Sequence, residues 1–146
     1  QEAPRRGLRL VTAAEGIELV APVERPLAAS SWGEGKDLST WDSPRVAEFA
    51  FAARAAELRT VAAAASGSAP ADGLARIARE LLALQSSDWP FMVSRELAGD
   101  YPRERLAAHG QSFDAALAAL RDSRPASEPR LRDLAPHLDL ASLTTP

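Results

Sequence analysis

The 146 residues are 46% hydrophobic and 25% charged, with a formal net charge of −3 and a pI near 5.4. That length and balance fit one globular domain with a modest core, and the acidic excess argues against a nucleic-acid surface, which needs a basic patch. The absence of cysteine excludes disulfides and thiolate metal sites, and no apolar run approaches the ~20 residues that cross a bilayer.

The chain opens on Gln rather than Met and shows no cleavable leader pattern, so the expectation is an inner piece of a larger, cytoplasmic protein. Residues 1–6, QEAPRR, read as a linker-like start. Leu8-Arg9-Leu10-Val11 alternates apolar and charged side chains, the pattern of one short strand. Such a strand has to pair with something else, because alone it leaves both edges open. Thr12 can cap a short helix from Ala13 to about Ile17, which Gly16 weakens. Residues 20–43 contain Pro22, Pro26, Gly33 and Gly35 and read as ordered loop.

Inside that loop, residues 30–35 read SSWGEG, and Trp41 follows Trp32 nine positions on. A chain only 5% aromatic thus places two of its three tryptophans in one Gly/Ser-rich segment. Indoles on such a loop either plug the top of a core or stack on something flat, such as the C–H face of a sugar. Gly33 and Gly35 read as positions whose backbone conformation is closed to other residues.

Ser43 is a good N-cap for the first long helix, with Pro44 at its first position. Val46, Phe49, Ala50, Ala53, Thr60, Val61 and Ala64 form one face, and Phe51, Ala55, Leu58 and Ala62 form a second. A helix apolar on two sides is expected to pack against two neighbours, with Arg45, Glu48, Arg54, Glu57 and Arg59 as a solvated edge. After the SGSAP turn at 66–70, Asp72 can cap a second helix carrying Leu74, Ile77, Ala78, Leu81, Leu84 and Gln85 at helical spacing. Pro90 breaks or kinks it, so that Asp88-Trp89 sits at a junction or Asp88 caps a new short helix. From Pro102 to Arg121 runs a third stripe of Leu106, His109, Gly110, Phe113, Leu117 and Leu120. Gly110 costs about 1 kcal/mol against alanine there, which predicts close helix contact as compensation. Residues 123–130 read as loop, 131–135 as a short helix, and the rest as an extended tail. The expected fold is mainly α: a bundle of three main helices plus short helices, entered by a short strand-helix piece.

Three blocks and a tail carry a family resemblance. They are SSWGEG with its following tryptophan, ALQSSDWPFM at 83–92, the four-spaced Tyr101, Arg105, His109 and Phe113, and PHLD at 136–139. In this order they resemble the C-terminal helical domain of glycoside hydrolase family 57 enzymes, and within that family the 1,4-α-glucan branching enzymes. The resemblance spans about residues 7–143. Lys36 departs from a frequent glycine of the family, and Phe51 lies near a frequent tryptophan.

The resemblance implies that residues 1–29 are the end of a catalytic (β/α) barrel with its linker, and 30–146 the C-terminal α-helical domain that covers it. It implies cleavage of α-1,4 links and formation of α-1,6 links by retaining transglycosylation. Trp32 and Trp41 would line the glucan cleft, with Gly33, Glu34 and Asp88 as further cleft candidates. The implied partners are an α-glucan such as amylose or glycogen and the barrel of the same polypeptide; neither nucleic acid nor membrane is expected.

Retaining transfer needs two carboxyl groups about 5–5.5 Å apart. Glu34, Asp37, Asp42 and Asp88 qualify by charge alone, but the resemblance places both catalytic carboxylates on the upstream barrel. No catalytic residue is therefore expected in this chain. No cofactor or metal is expected either, since His109 and His137 without thiolates make no zinc spacing. His109 reads as a satisfied, partly buried core histidine and Trp89 as a core anchor. Asp88 either accepts from a sugar hydroxyl or caps a helix, and Glu34 either lines the cleft or is solvated. Two further readings stay open: an α-amylase or 4-α-glucanotransferase of the same family, and a non-catalytic helical module that binds glucan or a protein.

Overall fold

Hydrophobic periodicity and proline placement dictate the architecture. The computed structural model describes residues 4–125 and 134–143. Among these residues five α-helices follow in order: α1 (Ala13–Leu19), α2 (Ala47–Ala65), α3 (Ala71–Leu84), α4 (Asp88–Ser94) and α5 (Tyr101–Arg121). Short 3-10 turns lie at Pro4–Arg6 and Leu140–Leu143. None of these helices is long and apolar enough to cross a membrane.

The core forms where three apolar stripes meet. Ile77, Leu81 and Leu84 of α3 pack with Phe113, Ala116 and Leu117 of α5, and Ala56 of α2 closes the cluster. Burying side chains such as Ile77 and Phe113 stabilises the fold by roughly 1.5–3 kcal/mol each. A second, smaller cluster joins Val46, Phe49 and Val93, with Trp89 and Leu106 packed against it. This second cluster fastens α4 to the bundle, and α4 lies along α5.

Several expectations need correction. Leu8 to Val11 forms no strand: no second strand exists among the described residues to pair with it, and Leu8 and Leu10 are exposed. The strand-helix piece of a barrel is thus not seen as such, although its helix is present. α1 runs to Leu19 and opens with a capping box, in which Glu15 N–H donates to Thr12 Oγ1 at 3.3 Å and Thr12 N–H donates to Glu15 Oε2 at 2.8 Å. The bond from the Thr12 backbone, and then that from its hydroxyl, hold the Glu15 carboxyl below the ordinary glutamate range.

Ser43 does not cap α2. Its carbonyl accepts from Val46 N–H within a turn, and α2 begins at Ala47 without a side-chain cap. The burial of Val46 and Phe49 fixes the start of the helix instead. Likewise the N-cap of α3 is Pro70, whose extended ψ of 141° stops the helix from running backwards. Asp72 sits in the first turn, where its carboxylate accepts from Gly73 N–H at 2.9 Å. The open choice at Pro90 resolves as a new helix: α3 ends at Leu84, Ser87 is the N-cap of α4, and Pro90 occupies its first turn, where a missing N–H costs nothing.

The second face of α2 does not pack. Phe51, Ala55, Leu58 and Ala62 are all exposed, and α2 meets its two neighbours, α3 and α5, without them. Gly110 makes no close contact either, since a Cβ added there would meet nothing within 4 Å. The close approach between helices is at Gly73, where a Cβ would lie 2.7 Å from Leu120 Cδ1. The short helix expected over 131–135 falls largely outside the described residues.

Candidate functional site

The SSWGEG segment folds as a tight loop held by its own small polar side chains. Ser31 N–H donates to the Lys36 carbonyl at 3.1 Å, and Lys36 N–H to the Gly33 carbonyl at 3.1 Å. The Ser31 hydroxyl accepts from Gly33 N–H at 3.1 Å and donates to the Asp37 carbonyl. The Asp37 carboxylate accepts from the Ser39 hydroxyl at 2.6 Å and from Ser39 N–H at 2.9 Å, and these bonds, the hydroxyl's first, hold it below the usual aspartate range.

The glycines here act differently from the expectation. Neither Gly33 nor Gly35 has a left-handed backbone; that conformation falls on Lys36, with φ 55°. Gly33 is required by close approach instead. It is buried, and a Cβ on it would lie 2.7 Å from Thr40 Oγ1 and 3.0 Å from the Trp41 ring. Gly35 is similarly crowded by the Asp37 carboxylate at 3.0 Å.

The loop brings three rings together. Trp32 lies edge-on to Trp41 with centroids 5.1 Å apart, and tilted on Phe91 of α4 at 4.8 Å. Trp32 remains 63% exposed, whereas Trp41 is half-buried and donates from Nε1 to the Ser87 carbonyl at 3.1 Å. The two tryptophans, alike in the sequence, thus stand differently: one presents a ring to solvent and the other ties the loop to the head of α4. At the far end of α4, Ser94 Oγ donates to the Thr40 carbonyl at 2.7 Å, and Arg95 pairs with Glu34 at 2.8 Å.

A pocket of about 290 Å³ results, lined by Trp32, Gly33, Glu34, Lys36, Phe91 and Arg95. An exposed aromatic face beside an ion pair suits a ligand with a flat apolar side and hydroxyl edges. Of the cleft candidates, Gly33 and Glu34 line this pocket; Asp88 is exposed at the start of α4 and does not. A second pocket of about 210 Å³ borders Trp41, Phe49, Leu84 and Pro90.

A separate polar cluster lies within the bundle. Glu80 of α3 is 1% exposed and accepts from Arg76 one turn earlier and from His109 Nδ1 of α5 at 2.8 Å. His109 Nε2 faces Arg105 Nη2 at 2.9 Å. Arg105 can only donate, so Nε2 accepts from it while Nδ1 faces the Glu80 carboxylate, and both ring nitrogens are partnered. His109 is therefore the partnered core histidine its position suggested. Trp89 stacks on it at 6.5 Å, meets the edge of Tyr101 at 6.0 Å and donates from Nε1 to the Ala83 carbonyl at 2.8 Å, as a core anchor should.

Sequence reasoning missed Arg76, Glu80, Phe91 and Arg95. A signal for Glu80 existed, because it falls three residues after Ile77 and four before Leu84, on the buried stripe itself. Nothing in the sequence placed Phe91 under Trp32, a contact across 59 positions that only the folded loop makes.

Fold and site define an all-α domain that displays an aromatic loop on a short helix. A family model described as "1,4-alpha-glucan branching enzyme, C-terminal" matches residues 50–139. The chain belongs to this family of branching-enzyme C-terminal domains. Among its relatives are the probable 1,4-alpha-glucan branching enzymes of two strains of Mycobacterium tuberculosis, each 36% identical over 143 residues, covering 89% of this chain. The chain spans 27% of the length of these relatives. No solved structure matches it.

Proposed function

We propose that this chain works as the C-terminal helical domain of a glycoside hydrolase family 57 branching enzyme that cuts α-1,4 links and forms α-1,6 links by retaining transglycosylation. The observation that carries this reading is the family match over residues 50–139, together with relatives that are named branching enzymes. In the same reading, residues 1–29 belong to the end of the barrel and its linker, and 30–146 form the helical domain that covers the barrel mouth. The bare surface of α1, with Ile17 70% exposed, supports a missing neighbour there. The two catalytic carboxylates belong to the barrel, and the part played by this domain is to hold an α-glucan.

Trp32 and Trp41 are the residues proposed to line the glucan cleft, with Glu34 beside them. Stacking of about 1 kcal/mol per ring orients a sugar chain and removes water from it. Water exclusion matters in branching, because the glycosyl group must pass to a sugar hydroxyl and not to water. The exposure of Trp32 supports direct stacking, and the half-buried Trp41 backs it.

The test is amylose binding by the wild-type chain, Trp32→Ala and Trp41→Ala, each with a thermal melt. The expected result is lost binding in Trp32→Ala with a melt close to wild type, and lost binding with lower stability in Trp41→Ala. Binding that survives Trp32→Ala would remove the stacking role.

A further inference from the structure

α4 is only seven residues long, too short to be stable by itself, yet it takes four attachments from the aromatic segment. Trp41 Nε1 donates to Ser87 at one end, Ser94 Oγ donates to Thr40 at the other, Phe91 lies under the Trp32 indole, and Arg95 pairs with Glu34. Phe91 and Arg95 are four residues apart and share one face of the helix end. The residue that Arg95 holds, Glu34, is two positions beyond Trp32 in the loop. One face of α4 therefore grips the ring from below and its backbone from the side.

We propose that Phe91 and Arg95 are positioning residues for the Trp32 ring, fixing it in a ligand-ready orientation before a glucan arrives. The proposal rests on the glucan-stacking reading of Trp32. An indole 63% exposed would otherwise sample several orientations and lose that freedom on binding. Ordering one such side chain in advance corresponds to roughly a 2- to 12-fold gain in affinity. The Glu34–Arg95 pair, with side chains 75% and 43% exposed, is open to screening by salt.

The test joins two readouts on Phe91→Leu, Arg95→Gln, Arg95→Lys and Glu34→Gln. Circular dichroism follows the exciton couplet of the Trp32–Trp41 pair, whose rings stand 5.1 Å apart, and titration with amylose gives the affinity. Phe91→Leu and Arg95→Gln are expected to flatten the couplet and to weaken amylose binding by roughly 2- to 12-fold. Arg95→Lys should recover part of both. Glu34→Gln, which removes the same pair from an exposed position, should flatten the couplet as Arg95→Gln does, and high salt should flatten it in wild type with no further change in Glu34→Gln. An unchanged couplet in Phe91→Leu and Arg95→Gln overturns the proposal, as does unchanged affinity in both while Trp32→Ala abolishes binding. If wild type and Trp32→Ala treat amylose alike, the glucan reading falls, while the couplet still decides whether α4 positions the ring.

Discussion

Glu80 shares the buried face of α3 with Ile77 and Leu84, where a carboxylate needs a hydrogen-bond partner on each oxygen. Arg76 and His109 supply that compensation. Arg76 keeps Nε and Nη1 buried without partners, so its charge depends on Glu80. Glu80→Ala would leave a buried guanidinium unpaired and is expected to destabilise the fold by about 3–5 kcal/mol, read from urea unfolding. A loss below 1 kcal/mol would mean that water takes the place of the carboxylate. At this scale the sequence was partly legible. His109 read correctly from its place on the stripe of α5, and Trp89 from its neighbours. Glu80 is hidden by its charge, which favours exposure, although its spacing from Ile77 and Leu84 puts it on the inner face.

Among the elements, α5 carries an unused gain in stability. Gly110 lies in the middle of a 21-residue helix, its φ is not left-handed, and a Cβ there meets nothing within 4 Å. Gly110→Ala should therefore stabilise the domain by about 0.5–1 kcal/mol, through better helix propensity and a less flexible unfolded chain. A lowered Tm would show that the nearby groove between α2 and α5 is needed open. Helix existence was readable throughout, since apolar spacing near 3.6 residues runs through α3 and α5 and prolines separate the segments. The start of α1 was readable too, since Thr12 caps it as expected, but those of α2 and α3 were not. Ser43 and Asp72 offered good capping side chains, but the burial of Val46 and the rigid backbone of Pro70 set the boundaries. A cap is worth about 1 kcal/mol and yields to a larger packing term.

For the whole molecule, the unpacked surfaces carry the consequence. Ile17, Leu27, Phe51 and Leu58 are 70%, 90%, 76% and 55% exposed, large apolar side chains available to a partner surface. If these surfaces dock on a barrel, the isolated chain should self-associate as its concentration rises, seen by light scattering. A strict monomer at high concentration would count against the docking role proposed for them.

The sequence alone determined the number and order of the long helices, the family and the placing of two of the three tryptophans in one loop, because each is written in local spacing or in a contiguous motif. Only the tertiary structure decided that Trp32 is displayed while Trp41 is tied down, that α4 supports them, and that Glu80 is buried and the second face of α2 is not. It also leaves Leu8 to Val11 without a partner strand among the described residues. Each of these depends on which segments meet across tens of residues, and pairwise contact at such separations is set by the packing of the whole core, not by the pattern within any one segment.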